Sequence, residues 1–180
     1  MKTIPIWIVL AGLLSVVSVQ AEELSSKSTT VLELGPVRVG EMFPTFGAYT
    51  LTNQYLSLTS LMENEKTIVV SYFATWCGPC RVALPKIEQF VTNNDNVEAV
   101  YIALGEKSSA PVKKMADELN LNSPIVIDKF ESIGIRHGVV VEGKETTLPR
   151  TFILKPDGTV QTIVTVEGSD FVEFLTKQIQ

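Results

Sequence analysis

This 180-residue chain holds two cysteines, and only two residues separate them, in Trp76-Cys77-Gly78-Pro79-Cys80-Arg81. Thiols at that spacing can close a small disulfide ring, so the pair can take up and release two electrons. A thiolate at the start of a helix is favoured by the helix dipole and by free N–H groups. Cys77 suits that place. Cys80 is then expected one turn on, partly covered by the helix. Pro79 fits the first helical turn, where a missing N–H has no partner to lose. Gly78 leaves the approach to Cys77 open to a bulky protein disulfide. The pattern assigns Cys77 to attack and Cys80 to resolve.

These residues need a rigid support, and the flanking sequence predicts one. Thr67 to Ala74 is a β-branched and aromatic run with little polarity, the mark of a central strand covered on both faces. From Gly78 onward, Leu84, Ile87 and Val91 recur at helical spacing beside Ala83 and Phe90, which leaves Arg81, Lys86 and Glu88 on the expected wet side. Pro85 is expected to kink this helix. Asn93 to Asn96 ends it and Val97 to Leu104 supplies the next strand, giving a right-handed parallel crossover.

Further on, Ser108 or Ser109 caps a helix with a Val112, Met115, Ala116 and Leu119 stripe. Pro124 opens the strand Ile125 to Ile127, and Phe130 to Ile135 reads as one helical turn. Val139 to Val141 suggests a hairpin turning at Glu142-Gly143-Lys144. Arg150 to Lys155 and Thr159 to Val166 flank Pro156-Asp157-Gly158 and should pair antiparallel. Ser169 or Asp170 caps a last helix with Phe171, Phe174, Leu175 and Ile179 facing inward. Upstream, Val31 to Leu34 and Val37 to Val39 read as short extended segments, Met42 to Phe46 as an apolar stretch, and Tyr55 to Leu58 as a strand before a helical turn at Thr59 to Glu63. The order predicts an α/β fold, a mixed sheet with helices on both faces.

At 45% hydrophobic and 19% charged residues the composition suits one globular domain. The net charge is −5, and −6 without the first 21 residues, which carry only Lys2. That balance argues against nucleic-acid binding, which wants a basic stripe. Ile4 to Val19 is an apolar run behind Lys2, followed by Val19-Gln20-Ala21, and reads as a secretory signal peptide cut after Ala21. Its sixteen residues span about 24 Å as a helix, short of the ~30 Å hydrocarbon core, so an uncleaved anchor is the second reading. Residues 22–30 read as a polar tether, and 31–180 as the folded domain. A periplasmic or otherwise extracytoplasmic location follows, where disulfides persist.

The Trp-Cys-Gly-Pro-Cys sequence at 76–80 resembles the thioredoxin superfamily, and the layout from Val39 to the C-terminus is similar to its TlpA/ResA-like branch. That resemblance implies a thioredoxin-like three-layer fold with an N-terminal extension and a central insertion. It implies a monomeric thiol-disulfide oxidoreductase without cofactor, acting on disulfide-containing or dithiol proteins. Leu148-Pro149-Arg150-Thr151 matches the family's proline opposite the redox pair, which makes Pro149 the expected cis residue against the sulfurs and Leu148 the backbone that pairs with substrate. The alternative for Pro149 is a strand-opening proline. Trp76 is read as a packing residue or a partner contact. Two departures stand out. Ser71 occupies the place of a buried acid, and Ala83 that of a glutamate after the second cysteine, so Cys80 would pass its proton to water or Ser71.

Gly-Pro between the cysteines resembles reducing thioredoxins, with a potential of about −270 mV. Outside the cytoplasm such a protein needs an electron donor, implying a membrane partner of the DsbD or CcdA type. Substrates would be mispaired secreted proteins or apocytochrome c thiols; an oxidant or isomerase role is the alternative. A structural zinc site is disfavoured, since four ligands are usual and His137, read as a surface residue, is the one imidazole. A peroxidase of the peroxiredoxin type wants Pro and Thr or Ser upstream of its cysteine, where Val70 and Ala74 stand. The remaining rival is a non-enzymatic module that captures peptides at Leu148–Pro149.

Overall fold

The computed structural model describes residues 30–31, 36–166, 168 and 170–179; the expected signal peptide, the tether up to residue 29 and Ser169 lie outside them. The described chain runs β1 (Thr30–Val31), β2 (Gly47–Tyr49), β3 (Tyr55–Ser57), α1 (Leu58–Met62), β4 (Thr67–Phe73), α2 (Gly78–Thr92), β5 (Val97–Leu104), α3 (Ser109–Leu119), β6 (Ile125–Asp128), α4 (Ser132–Arg136), β7 (Arg150–Leu154), β8 (Val160–Val166) and α5 (Phe171–Gln178). Six strands form one sheet in the order β1-β8-β7-β4-β5-β6. The pairs β4–β5 and β5–β6 are parallel, β7 runs antiparallel to β4, and β8 antiparallel to β7.

Strand β4 is buried at every position, as its unbroken apolar run requires, because side chains of alternating parity meet helices on opposite faces. Val69 and Phe73 point to a layer built by α2, α3 and α5, where Leu84, Ile87, Met115 and Phe171 are buried. Ile68, Val70 and Tyr72 point the other way, against Phe43, Phe46, Leu58, Leu61 and Val139. The three-layer arrangement is thus the expected one.

Several local expectations need correction. Val37 to Val39 forms no strand: the chain turns there, with Gly40 at φ +87° and the Glu41 N–H donating to the Arg38 carbonyl. Residues just beyond pair with the β7–β8 turn through the Met42–Thr159 bridge. The Val139–Val141 hairpin is absent, because the Val139 and Val140 N–H groups both donate to the Gly134 carbonyl in α4 and find no strand partner. Glu88 is buried, not wet. Its carboxylate accepts from the Tyr101 hydroxyl at 2.9 Å and from the Asn122 and Ser123 N–H groups at 2.9 and 3.1 Å, which compensates its desolvation. Helix α2 continues through Pro85, whose missing N–H leaves the Arg81 carbonyl without its helical donor.

His137 is no surface residue either. It is fully buried, its Nδ1 shares a 2.5 Å hydrogen bond with the Tyr72 hydroxyl, and Phe43 and Phe46 pack on its ring. Burial pushes its pKa down to about 4, with the Pro44 backbone opposing and the Arg136 charge adding to the shift. Burial, and then the nearby Asp128 charge, holds the Tyr72 phenol well above its ordinary value.

Candidate active site

Strand β4 ends at Phe73, and a short turn closed by the Cys77 N–H donating to the Ala74 carbonyl delivers Cys77 to the N-cap of α2. Pro79 occupies the first turn, as its fixed φ favours. The Cys77 sulfur accepts from the Cys80 N–H at 3.2 Å, so the helix N-terminus addresses that sulfur directly. Cys77 and Cys80 are joined in a disulfide, their Cα atoms 5.3 Å apart.

What exposure the pair retains belongs to Cys77, at 3%, against 0% for Cys80. The leading sulfur is therefore more covered than an open approach implies, although a Cβ at Gly78 would meet nothing within 4 Å. Around it the surface is apolar and open: Trp76 is 73% exposed and Val82 61%. The Leu148–Pro149 peptide bond is cis. A groove of about 380 Å³ runs beside the pair, lined by Pro79, Val82 and Lys86 from α2, by Leu148 and Pro149, and by Thr165 of β8.

Ser71 alternates with Val69 and Phe73 and so faces the α2 layer. Its hydroxyl lies 2.9 Å from that of Thr151, its partner across β4–β7. Ala83 is buried on α2. Sequence reasoning missed Glu106, whose carboxylate accepts from the Thr75 N–H at 2.6 Å and so ties the cysteine-bearing turn to the end of β5. Position offered a signal: Glu106 follows the C-terminal end of the parallel strand beside β4, where sites in such sheets collect. Thr165 and Lys86 were likewise missed, because only the tertiary fold brings β8 and α2 to one groove.

The family model described as AhpC/TSA matches residues 39–163. The chain belongs to the AhpC/TSA family. Within it, the chain is 31% identical over 130 residues to thioredoxin-like protein YneN of Bacillus subtilis, covering 71% of each protein. It is 29% identical over 131 residues to the thiol-disulfide oxidoreductase ResA of Geobacillus thermodenitrificans, covering 72% of this chain and 70% of that one. Among solved structures, a thiol:disulfide interchange protein of the thioredoxin family from Chlorobium tepidum superposes with a TM-score of 0.66 at 23% identity, over 79% of this chain and 99% of the other. The fold is thioredoxin-like. With a Cys77–Cys80 disulfide at the helix start, this family member is a thiol-disulfide oxidoreductase.

Proposed function

We propose that the protein reduces disulfides of protein substrates outside the cytoplasm, with Cys77 as nucleophile and Cys80 as resolving thiol. The observation that carries this reading is the asymmetry of the pair: Cys77 sits at the N-cap, receives the Cys80 N–H and keeps the little exposure there is. A helix N-terminus favours the thiolate, which is the attacking species. In the reduced protein the Cys77 thiolate attacks one sulfur of a substrate disulfide, and the other leaves as a thiolate. Cys80 then loses its proton to solvent, directly or relayed by the Ser71–Thr151 hydroxyl pair, and attacks the Cys77 sulfur of the mixed disulfide. The second substrate thiolate departs, both substrate thiolates gain protons, and the Cys77–Cys80 disulfide remains. A membrane dithiol donor of the DsbD or CcdA type would restore the reduced pair.

In this scheme Trp76 contacts the partner, Gly78 and Pro79 shape the helix start, and the Leu148 backbone beside Pro149 pairs with the substrate segment. The Gly78-Pro79 dipeptide, through its likeness to reducing thioredoxins, supports the direction; the apolar N-terminal run supports the compartment. Insulin reduction with dithiothreitol tests the chemistry: the wild type should accelerate precipitation and Cys77→Ser should not. Equilibration with glutathione tests the direction. A pair that stays oxidised in a glutathione buffer poised near about −200 mV supports a reductant, and one fully reduced there overturns it.

A further inference from the structure

The turn that carries the cysteines is held by a carboxylate that the exchange scheme does not use. Glu106, just past the end of β5, is half-buried, and its side chain accepts the Thr75 N–H at 2.6 Å. A hydrogen bond from a backbone N–H to a carboxylate is short and about twice as strong as a neutral one. Thr75 stands two residues before Cys77, and the chain bends back between them, because the Cys77 N–H donates to the Ala74 carbonyl. Two residues span at most about 7 Å, so the charge lies within about a Debye length of Cys77. Neither Ser71 nor Ala83 brings a carboxylate to the pair, whereas Glu106 brings one to the turn itself. The other charged groups on neighbouring elements are Arg81, paired with Glu118, and Lys86 on α2, Lys107 beside Glu106, Glu131 with its carboxylate against Gly105, and Arg150 after Pro149.

We propose that Glu106 is a positioning residue for the exchange reaction: it fixes the turn that presents Cys77, and its negative charge offsets part of the pull of the helix N-terminus on the thiolate, which keeps the pair reducing. Left to itself, the start of a helix can make a cysteine strongly acidic. The resulting thiolate is a weaker nucleophile, and a pair whose reduced form is so stabilised is an oxidant. A carboxylate nearby disfavours the thiolate and leaves the neutral disulfide untouched, so it moves the balance toward donating electrons. Glu106 acts through the turn and through its field, not on the reacting atoms.

This inference rests on the exchange reading, and its test separates the two. Iodoacetamide alkylation of the fully reduced protein is followed across pH; Cys80 is fully buried, so the rate reports on Cys77. Glu106→Gln keeps an acceptor for the Thr75 N–H and removes the charge. It should move the midpoint of the alkylation profile about half a pH unit lower at low salt, and added salt should shrink that displacement. In a glutathione buffer above the midpoint, the same variant should lie about threefold further toward the reduced protein than the wild type. Glu106→Ala removes charge and acceptor together, so it should share the lower midpoint and reduce insulin more slowly than Glu106→Gln. A Glu106→Gln midpoint at or above that of the wild type, or a displacement indifferent to salt, overturns the electrostatic role. Equal insulin rates for the two variants overturn the positioning role. A reduced wild type that neither exchanges with oxidised glutathione nor reduces insulin overturns the exchange reading itself.

Discussion

Acidification should weaken this protein in a way that His137 contributes to directly. Its ring is enclosed by Phe43, Phe46 and Tyr72, and its pKa is pushed from an ordinary 6.5 to about 4. A group with a depressed folded-state pKa binds fewer protons folded than unfolded between those two values, so stability falls as pH drops through that window and is fully present above it. The complete shift is worth about 3 kcal/mol at 1.36 kcal/mol per unit. Between neutral pH and about pH 4.5 roughly 2 kcal/mol of this is lost. The measurement is urea unfolding of the wild type and of His137→Gln at about pH 7 and about pH 4.5, each protein compared with itself. Carboxylates titrate alike in both, so the wild type should lose about 2 kcal/mol more than the variant over the same interval. Equal losses in the two proteins would refute the claim that a neutral, buried imidazole sits in this core.

Other outcomes follow from single contacts. Tyr72→Phe removes the hydroxyl that meets His137 Nδ1 and should cost about 1–3 kcal/mol in chemical unfolding. Glu88→Ala strips the acceptor from Tyr101, Asn122 and Ser123, and should cost about 3 kcal/mol or more by the same measurement, where an exposed helix glutamate would be near neutral. Gly78→Ala should leave stability within about 0.5 kcal/mol, since its Cβ meets open space, so any change in exchange rate there reports on substrate access. Ala83→Glu should speed insulin reduction by offering Cys80 a proton acceptor, at a stability cost set by burying the carboxylate; an unchanged or lower rate counts against slow proton loss from Cys80 to water or Ser71.

Much of the site was legible because its signals are local. The cysteine pair, Pro79 and the apolar run of β4 lie within fourteen consecutive residues, and helix start and strand end are both properties of neighbours in sequence. The cis Leu148–Pro149 bond was legible through family likeness alone. What failed was burial decided at long range. Glu88 reads as solvent-facing by type, and only the approach of Tyr101 and the 122–123 turn turns it inward. His137 follows a one-turn helix with no apolar period to betray its surroundings, and its cage comes from residues 43, 46 and 72. The Val139–Val141 run has strand composition, yet the N–H groups of Val139 and Val140 turn back to Gly134 instead of entering a ladder. Thr165 and Lys86 sit on elements nearly eighty residues apart in the chain, which no spacing rule connects.

The β2–β3 hairpin has a consequence beyond its size. Its connection holds Thr50, which bridges Val126, and Leu51, whose N–H donates to the Ile125 carbonyl at 2.8 Å. Strand β6 is the last in the sheet on that side, so those two residues occupy backbone groups that would otherwise invite another chain. Were that grip on β6 loosened, the outer margin of the sheet would lie open to strand addition by another chain, while the cysteines at the far end of β4 stayed in place.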